Sequence, residues 1–261
     1  MASDILGVMI EAAKVAGARL REDFADVSSL HIEHKNGPAD PFTVVDVRAE
    51  ETVRRILGEA FPRYGFLGEE GGVQYGEDKD HVWVVDPLDG TMNFLSGVPM
   101  FAVNIALTRR GEVVAGVTFA PMLDEMFTAE TGGGAFLNDR PIRVSARQGL
   151  IQSVLAVGIP FAGKPHHDKF IAEMTRLTPK ISGIRRLGAG AIDMAYVACG
   201  RFDAYWEQSV SPWDMAAGVA LVREAGGSVT DTRGGPLDIH AGTVLACTPQ
   251  LLPDLLAEIA P

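Results

Sequence analysis

The chain has 261 residues, of which 47% are hydrophobic and 22% charged, a composition typical of a folded globular protein. Its 34 acidic residues outnumber its 23 lysines and arginines, so the formal net charge is −11. This acidity argues against general binding to nucleic acid or to a membrane surface, because both require a basic face. No stretch approaches the roughly 20 apolar residues of a membrane helix.

The cysteines and the N-terminus indicate a reduced, cytoplasmic setting. Cys199 and Cys247 are too few for a disulfide framework and too isolated for a thiolate metal site. The first 23 residues have no basic start before an apolar run. They are therefore expected to form an amphipathic helix rather than a signal peptide.

The first half of the chain is predicted to begin with two helices. The first starts after Ser3 as its N-cap, and the second runs over residues 46–60. A short apolar strand over 82–85 follows. Between 101 and 145, apolar segments separated by turn residues predict an antiparallel meander.

The second half alternates strands with helices, which is typical of a layered α/β region. The predicted helices cover 168–177, 191–199, 214–225 and 251–259. Nothing near residue 150 resembles a flexible linker. We therefore expect an N-terminal α+β half over 1–150 and a C-terminal α/β half over 151–261, joined in one compact unit with a soft boundary.

The segment DPLDGT, at 86–91, has the chemistry of a site. Asp86 directly ends the apolar strand, and Pro87 prevents the strand's ladder from continuing. Asp89 follows three residues later, so a tight turn can aim both carboxylates at one point. Gly90 permits close backbone approach, and Thr91 can open a helix whose N–H groups face the same point. A hard cation that bridges carboxylates and phosphate oxygens would reconcile these features.

Each acidic segment also has a plain structural interpretation. Acidic residues in Gly/Pro loops are usually turn formers or helix caps. Asp214, which follows Trp213, suits the first turn of a helix, and the GEE segment at 68–70 suits a solvated loop. The occurrence of all these segments in one chain favours a functional site over these structural interpretations.

Together the segments resemble a known family. DPLDGTMNF at 86–94, GEE at 68–70 and WDMAAG at 213–218 are similar in order and spacing to the inositol monophosphatase family of magnesium-dependent, lithium-sensitive phosphatases. The resemblance extends over nearly the whole chain. It implies an α-β-α-β-α sandwich of the sugar-phosphatase type, with most metal ligands in the first half, and a homodimer.

The resemblance also implies roles for individual residues, with two to three Mg²⁺ ions in each active site. The metal ligands it implies are Glu69, Asp86, Asp89, Asp214 and the backbone carbonyl of Leu88. The catalytic residues are Glu69 together with Asp46 and Thr91, which orient the attacking water. The substrate contacts are Asp89, Gly90, Thr91, Gly188, Ala189 and Glu207. Glu70 and Lys35 match further family positions near the site.

The expected substrate is a small phosphorylated polyol or sugar. Asn93, Phe94 and Glu207 favour inositol monophosphate. Fructose 1,6-bisphosphate, 3′-phosphoadenosine 5′-phosphate and histidinol phosphate remain alternatives within the superfamily. An alternative of another class is an interaction protein that retains a metal site.

Overall fold

Five alternating layers of helices and sheets make up the computed structural model, which describes residues 3–30, 32–34 and 41–260. In the described residues, the helices are α1 Asp4–Phe24, α2 Val44–Ala60, α3 Thr91–Leu95, α4 His167–Leu177, α5 Gly190–Ala198, α6 Pro212–Glu224 and α7 Leu252–Ile259. The α-β-α-β-α architecture expected from the sequence is confirmed.

The strands of the first half, in chain order, are β1 Ile32–His34, β2 Pro41–Thr43, β3 Gly65–Gly68, β4 Gly72–Gln74, β5 His81–Asp89, β6 Ala102–Arg109, β7 Glu112–Ala120, β8 Glu125–Glu130, β9 Gly134–Leu137 and β10 Arg140–Ile142. Those of the second half are β11 Val154–Val157, β12 Gly183–Arg185, β13 Ala204–Gln208, β14 Ser228–Thr230 and β15 Thr243–Cys247. Strands β1 and β2 form a separate antiparallel pair.

Helices α1 and α2 cover one face of an eight-stranded sheet with the order β10-β9-β8-β7-β6-β5-β3-β4. Ser3 caps α1 as expected, because its side chain accepts a hydrogen bond of 3.1 Å from the Leu6 N–H. The apolar stripe of α1, which includes Met9 and Leu20, is buried against this sheet. The helical spacing in the sequence therefore identified the packed face.

Helices α5 and α6 form the middle layer between the two sheets. The second sheet has five strands in the order β12-β11-β13-β15-β14, and its other face is covered by α4 and α7. Strand β5 is buried on both faces: Trp83 and Val85 face α1 and α2, whereas Val84 faces the middle layer. This double burial accounts for the unbroken apolar run in its sequence.

The meander expected over 101–145 is present as β6 to β10, which pair antiparallel. The sequence did not indicate β3, which pairs parallel to β5 and places Gly68 opposite Val85. The division of the chain near residue 150 stays a prediction. Across the described ranges, no helix is long and apolar enough to cross a membrane.

The buried stripe of α1 gives a direct test of the core. Met9 is fully buried, whereas Met122 is 37% exposed. We expect Met9→Ala to lower the free energy of unfolding by about 2–5 kcal/mol, because it leaves a cavity in the core. Met122→Ala is the matched control, and its expected change is within about 0.5 kcal/mol. Denaturant unfolding measures both, and equal effects would contradict the packing of α1.

Candidate active site

The end of β5 presents acidic groups at a break in the sheet. Its pairing with β6 shifts register between Asp86 and Asp89. The Leu88 N–H donates a hydrogen bond of 2.9 Å to Asp86 Oδ1, which holds the turn. Gly90 follows with φ of 97°, and a Cβ there would lie 2.9 Å from the Met100 carbonyl oxygen. Glycine is thus required where the chain enters α3, as the sequence suggested.

Glu69 reaches the same edge because β3 runs parallel to β5. Gly68 lies opposite Val85, and the Glu69 N–H donates a hydrogen bond of 3.2 Å to the Val85 carbonyl. The carboxyl ends of parallel neighbours lie at one edge of a sheet. Glu69 therefore follows β3 at the level where Asp86 follows Val85.

Asp214 is brought to this edge from the middle layer by Asn104. Asn104 lies opposite Asp86 on β6 and donates hydrogen bonds to the carbonyls of Trp213 (2.6 Å) and Asp214 (3.2 Å). Thr118 donates to Asn104 Oδ1 at 2.7 Å. We did not identify Asn104 from the sequence, although an amide inside the apolar run VNIALT is a signal, since buried polar groups require partners.

Asp46 and Thr91 form a hydrogen-bonded pair beside these carboxylates. Asp46 is the third residue of α2 and completes a capping box, in which its Oδ2 accepts from the Thr43 N–H at 2.8 Å. Its Oδ1 lies 3.1 Å from Thr91 Oγ1, which donates. Thr91 Oγ1 is also 3.1 Å from the Leu88 carbonyl oxygen. The hydroxyl proton of Thr91 is thus directed at these acceptors. The lone pairs of Thr91 Oγ1 are available to accept a hydrogen bond from water.

A cavity of about 160 Å³ adjoins the acidic edge. The substrate-contact residues predicted from the sequence that line it are Asp89, Gly188, Ala189 and Glu207. Asp214 also lines it. The cavity volume is smaller than the roughly 300–1,000 Å³ of pockets that bind drug-sized ligands. The cavity therefore suits one small molecule.

Glu207 is half-buried at the wall of this cavity and receives a hydrogen bond from the Tyr205 hydroxyl. Burial raises the pKa of Glu207, whereas the Tyr205 hydrogen bond and the charges of Arg186 and Lys164 lower it. Gly158 makes room for the carboxylate, since a Cβ there would overlap it.

Asp193 is a further acid of the cavity that sequence reasoning missed. It lies in the first turn of α5, is 2% exposed, and its Oδ1 has no hydrogen-bond partner among the described residues. Burial, followed by the charges of Asp89 and Glu207, raises its pKa well above the ordinary value. No motif marked this residue, because its surroundings depend on the packing of α5 beside β13.

The carboxylates at the edge of β5 repel one another. Burial raises the pKa of Asp86 and of Asp214, and the charges of Glu69 and Asp89 raise both further. Burial raises the pKa of Asp89 to about 7, with the charges of Glu207 and Glu69 adding to the shift. Protons or a cation must relieve this repulsion at neutral pH.

The donor set fits a hard divalent cation, because carboxylate and carbonyl oxygens are the ligands that Mg²⁺ prefers. Each aspartate directs one oxygen to a backbone N–H: Leu88 for Asp86, Ala191 for Asp89 (2.7 Å), and Ser211 for Asp214 (2.9 Å). Within residues 3–30, 32–34 and 41–260, no three acidic, histidine or cysteine side chains already converge as a metal-holding group. The assignment of a divalent cation to this site thus rests on the oxygen ligands available and on the repulsion among the carboxylates.

Two further residues were named from the sequence, Glu70 and Lys35. Lys35 lies outside the described residues. Glu70 follows Glu69 in the turn between β3 and β4, and its N–H donates to Glu50 Oε2 at 2.8 Å. The structure brings together the other predicted side chains, from Asp46 on α2 to Asp214 on α6.

Known proteins match nearly the whole chain. The model of a family described as the inositol monophosphatase family matches residues 1–261. The chain belongs to this family. The family and the enzyme class predicted from the acidic motifs are thereby confirmed.

Individual relatives agree with this membership. An inositol-1-monophosphatase of Mesorhizobium japonicum is 49% identical over 94% of this chain and 91% of its own length. A Nus factor SuhB of Pseudomonas aeruginosa is 40% identical over 98% of this chain and 96% of its own length. The crystal structure of the extragenic suppressor protein suhB of Bartonella henselae superposes with a TM-score of 0.95 at 46% identity, covering 98% of each chain.

The raised pKa of Asp89 predicts how pH affects the metal-free protein. Asp89 retains its proton up to about pH 7 when folded, but only to its ordinary value of 3.8 when unfolded. The stability that this proton contributes is complete at low pH and is lost as pH rises through about 7. Metal binding requires the deprotonated carboxylate, so stabilisation by Mg²⁺ should grow over the same range.

Thermal unfolding measures this effect with a chelator and with excess MgCl₂. The rise in Tm caused by MgCl₂ should be larger at about pH 8 than at about pH 5.5. NaCl of equal ionic strength is the control for screening. An equal rise at both pH values would contradict the assignment of these carboxylates to a metal site.

Proposed function

We propose that the chain hydrolyses inositol monophosphate to inositol and phosphate with two to three Mg²⁺ ions. The observation that carries this proposal is the electrostatic repulsion of Asp86 by Glu69, Asp89 and Asp214, beside the Asp46–Thr91 pair and a small cavity lined by Glu207. Relatives named inositol-1-monophosphatase support the choice of substrate. We further propose the cytoplasmic location, lithium sensitivity and homodimer that the sequence resemblance implied.

In this proposal, the ligands that would hold Mg²⁺ are Glu69, Asp86, Asp89, Asp214 and the Leu88 carbonyl. Such ions, when bound, lower the pKa of a water molecule and neutralise charge on phosphoryl oxygens. The chain itself contributes the arrangement of the oxygens. The backbone N–H groups that hold Asp86, Asp89 and Asp214 limit how far these carboxylates can move apart.

Thr91 and Asp46 orient the attacking water. Because Thr91 directs its proton at Asp46 Oδ1 or the Leu88 carbonyl, its oxygen accepts a hydrogen bond from that water. Asp46 is kept in place by Thr43, whose N–H and hydroxyl both donate to Asp46 Oδ2. The capping box of α2 therefore fixes the orientation of the Asp46–Thr91 pair. Glu69 contributes to activating the same water.

The substrate lies between the acidic edge and Glu207. The N–H groups of Gly90 and Thr91 contact the phosphate, and Glu207 accepts hydrogen bonds from ring hydroxyls. Gly188 and Ala189 present little bulk at the cavity wall, which leaves space for the ring. The carboxylate of Glu207 opposes a second phosphate nearby through like-charge repulsion.

One observation favours a bisphosphate alternative. Arg186 lines the same cavity, and its charge lowers the pKa of Glu207. A guanidinium at this place suits a second anionic group on the substrate. Fructose 1,6-bisphosphate is therefore the second candidate.

A phosphate-release panel tests the substrate with and without MgCl₂. It holds inositol 1-phosphate, fructose 1,6-bisphosphate, 3′-phosphoadenosine 5′-phosphate and histidinol phosphate. We expect turnover that requires Mg²⁺ and has its highest kcat/KM on inositol 1-phosphate. A preference for another compound would replace the substrate but keep the site. No turnover with Mg²⁺ binding intact would favour the interaction-protein alternative.

We expect Asp89→Asn to lower activity without lowering thermal stability. Loss of this ligand should lower kcat/KM by about 10²–10³-fold or more, since removal of one electrostatic group from an active site has an effect of about 10²–10³-fold. The amide oxygen can still accept the Ala191 N–H, and the repulsion by Glu207 and Glu69 at this position is removed. The metal-free variant should therefore melt no lower than the unmodified chain.

Asp124→Asn is the control for this prediction. Asp124 is an exposed acid that pairs with Arg21 at 3.3 Å. Its substitution should leave both activity and Tm unchanged, because exposed pairs contribute little. An active Asp89→Asn enzyme would refute the metal assignment.

A further inference from the structure

Glu50 is a buried acid of α2 that neither the motifs nor the proposed reaction includes. It lies one turn after Asp46 on the same face of the helix and is 2% exposed. Its Oε2 accepts the Glu70 N–H at 2.8 Å, and its Oε1 accepts the Gly71 N–H at 2.8 Å. The carboxylate therefore binds two successive backbone N–H groups in the turn that begins with Glu69.

Arg54 keeps this carboxylate in place. Its guanidinium donates to Glu50 Oε1 from one helical turn further on, and its Cζ lies 4.7 Å from the centroid of the Phe66 ring on β3. The neighbouring glycines leave the necessary space. A Cβ at Gly68 would collide with the Glu50 carboxylate, and one at Gly71 would collide with Arg54.

The neighbouring pair on α2 shows how unusual this arrangement is. Arg55 and Glu59 have the same (i, i+4) spacing, but their side chains are 57% and 66% exposed. Such a surface pair contributes little to stability. A buried carboxylate on two backbone N–H groups and a guanidinium is far costlier to disturb, because removing it would leave those groups unsatisfied.

We propose that Glu50 is a positioning residue that fixes the Glu69–Gly71 turn, so that affinity for the divalent ion depends on it. This inference rests on the proposed function, in which Glu69 is a metal ligand. Because Asp46 and Glu50 share one face, α2 then sets the distance between the water-orienting pair and Glu69. A shift of this turn moves Glu69 relative to Asp86 without altering any ligand.

Three variants of the full chain test the proposal. Glu50→Gln can accept only one of the two N–H groups, and its NH₂ opposes the other donors. Glu50→Asp keeps the charge but is one methylene too short to reach both N–H groups. Glu59→Gln is the matched control on the same helix. Binding is measured directly with Mn²⁺ by electron spin resonance, alongside Tm without metal and phosphate release against MgCl₂ concentration.

We expect Glu50→Gln and Glu50→Asp each to weaken Mn²⁺ binding by about 10-fold or more, as for other groups that orient metal ligands. The MgCl₂ concentration for half-maximal activity should rise in parallel, while kcat at saturating MgCl₂ falls much less. Glu59→Gln should match the unmodified chain. Unchanged Mn²⁺ affinity in Glu50→Asp would overturn the positioning role, even if Glu50→Gln binds more weakly, because charge alone would then explain the effect.

Glu69→Gln separates this proposal from the proposed function. If Glu69→Gln binds Mn²⁺ as the unmodified chain does, the metal role of Glu69 fails, and with it the reason for the turn to be fixed. If Glu69→Gln weakens binding but neither Glu50 variant does, only the present inference fails. Should Glu50→Gln not fold, Glu50→Asp alone decides between these outcomes.

Discussion

Repulsion among the carboxylates at the end of β5 is the constraint on which the rest of the site depends. Asp86 is buried, Asp89 and Asp214 are half-buried, and all three lie near the charge of Glu69. Desolvation and this charge raise the pKa values of all three. Without a cation or groups that hold them in place, such carboxylates would move apart or retain their protons. Backbone N–H groups from β5, α5 and the start of α6 hold one oxygen of each aspartate against that tendency. The layers on both sides of β5 supply these partners.

Asp46 and Asp214, two residues of the proposed site, also cap helices. Asp46 and Asp214 are both the third residue of their helices, and both complete capping boxes. In each case one carboxylate oxygen accepts from the backbone at the helix start. The two interpretations of these acids, as caps and as site residues, are therefore compatible, because a carboxylate has two oxygens and a cap occupies one.

The cavity beside the acidic edge combines opposing charges. Glu207 and Asp193 favour hydrogen-bond donors such as ring hydroxyls, whereas Arg186 favours an anion. Tyr205 and Arg186 both act on Glu207, one by a hydrogen bond and the other by its charge. In the proposed function, the balance among these groups, rather than the acidic edge itself, determines the preference for inositol monophosphate over a bisphosphate.

The sequence by itself determined the features that depend on neighbouring residues. Helix spacing predicted α1 and α2, the apolar run predicted β5, and Pro87 with Gly90 predicted the turn that carries Asp86 and Asp89. The order and spacing of the acidic motifs also determined the family. These signals are local, because a helical period or a turn residue acts within a few positions of the chain.

Only the tertiary structure decided how these pieces meet. Three contacts join distant parts of the chain. They are the parallel pairing of β3 with β5, the hydrogen bonds from Asn104 to the start of α6, and the contact of Glu50 with the turn that begins with Glu69. No period or motif in the sequence encodes such contacts, since each depends on which faces pack together. The same reason explains why Asp193 was missed: among the described residues its Oδ1 is buried without a hydrogen-bond partner only once α5 is packed beside β13.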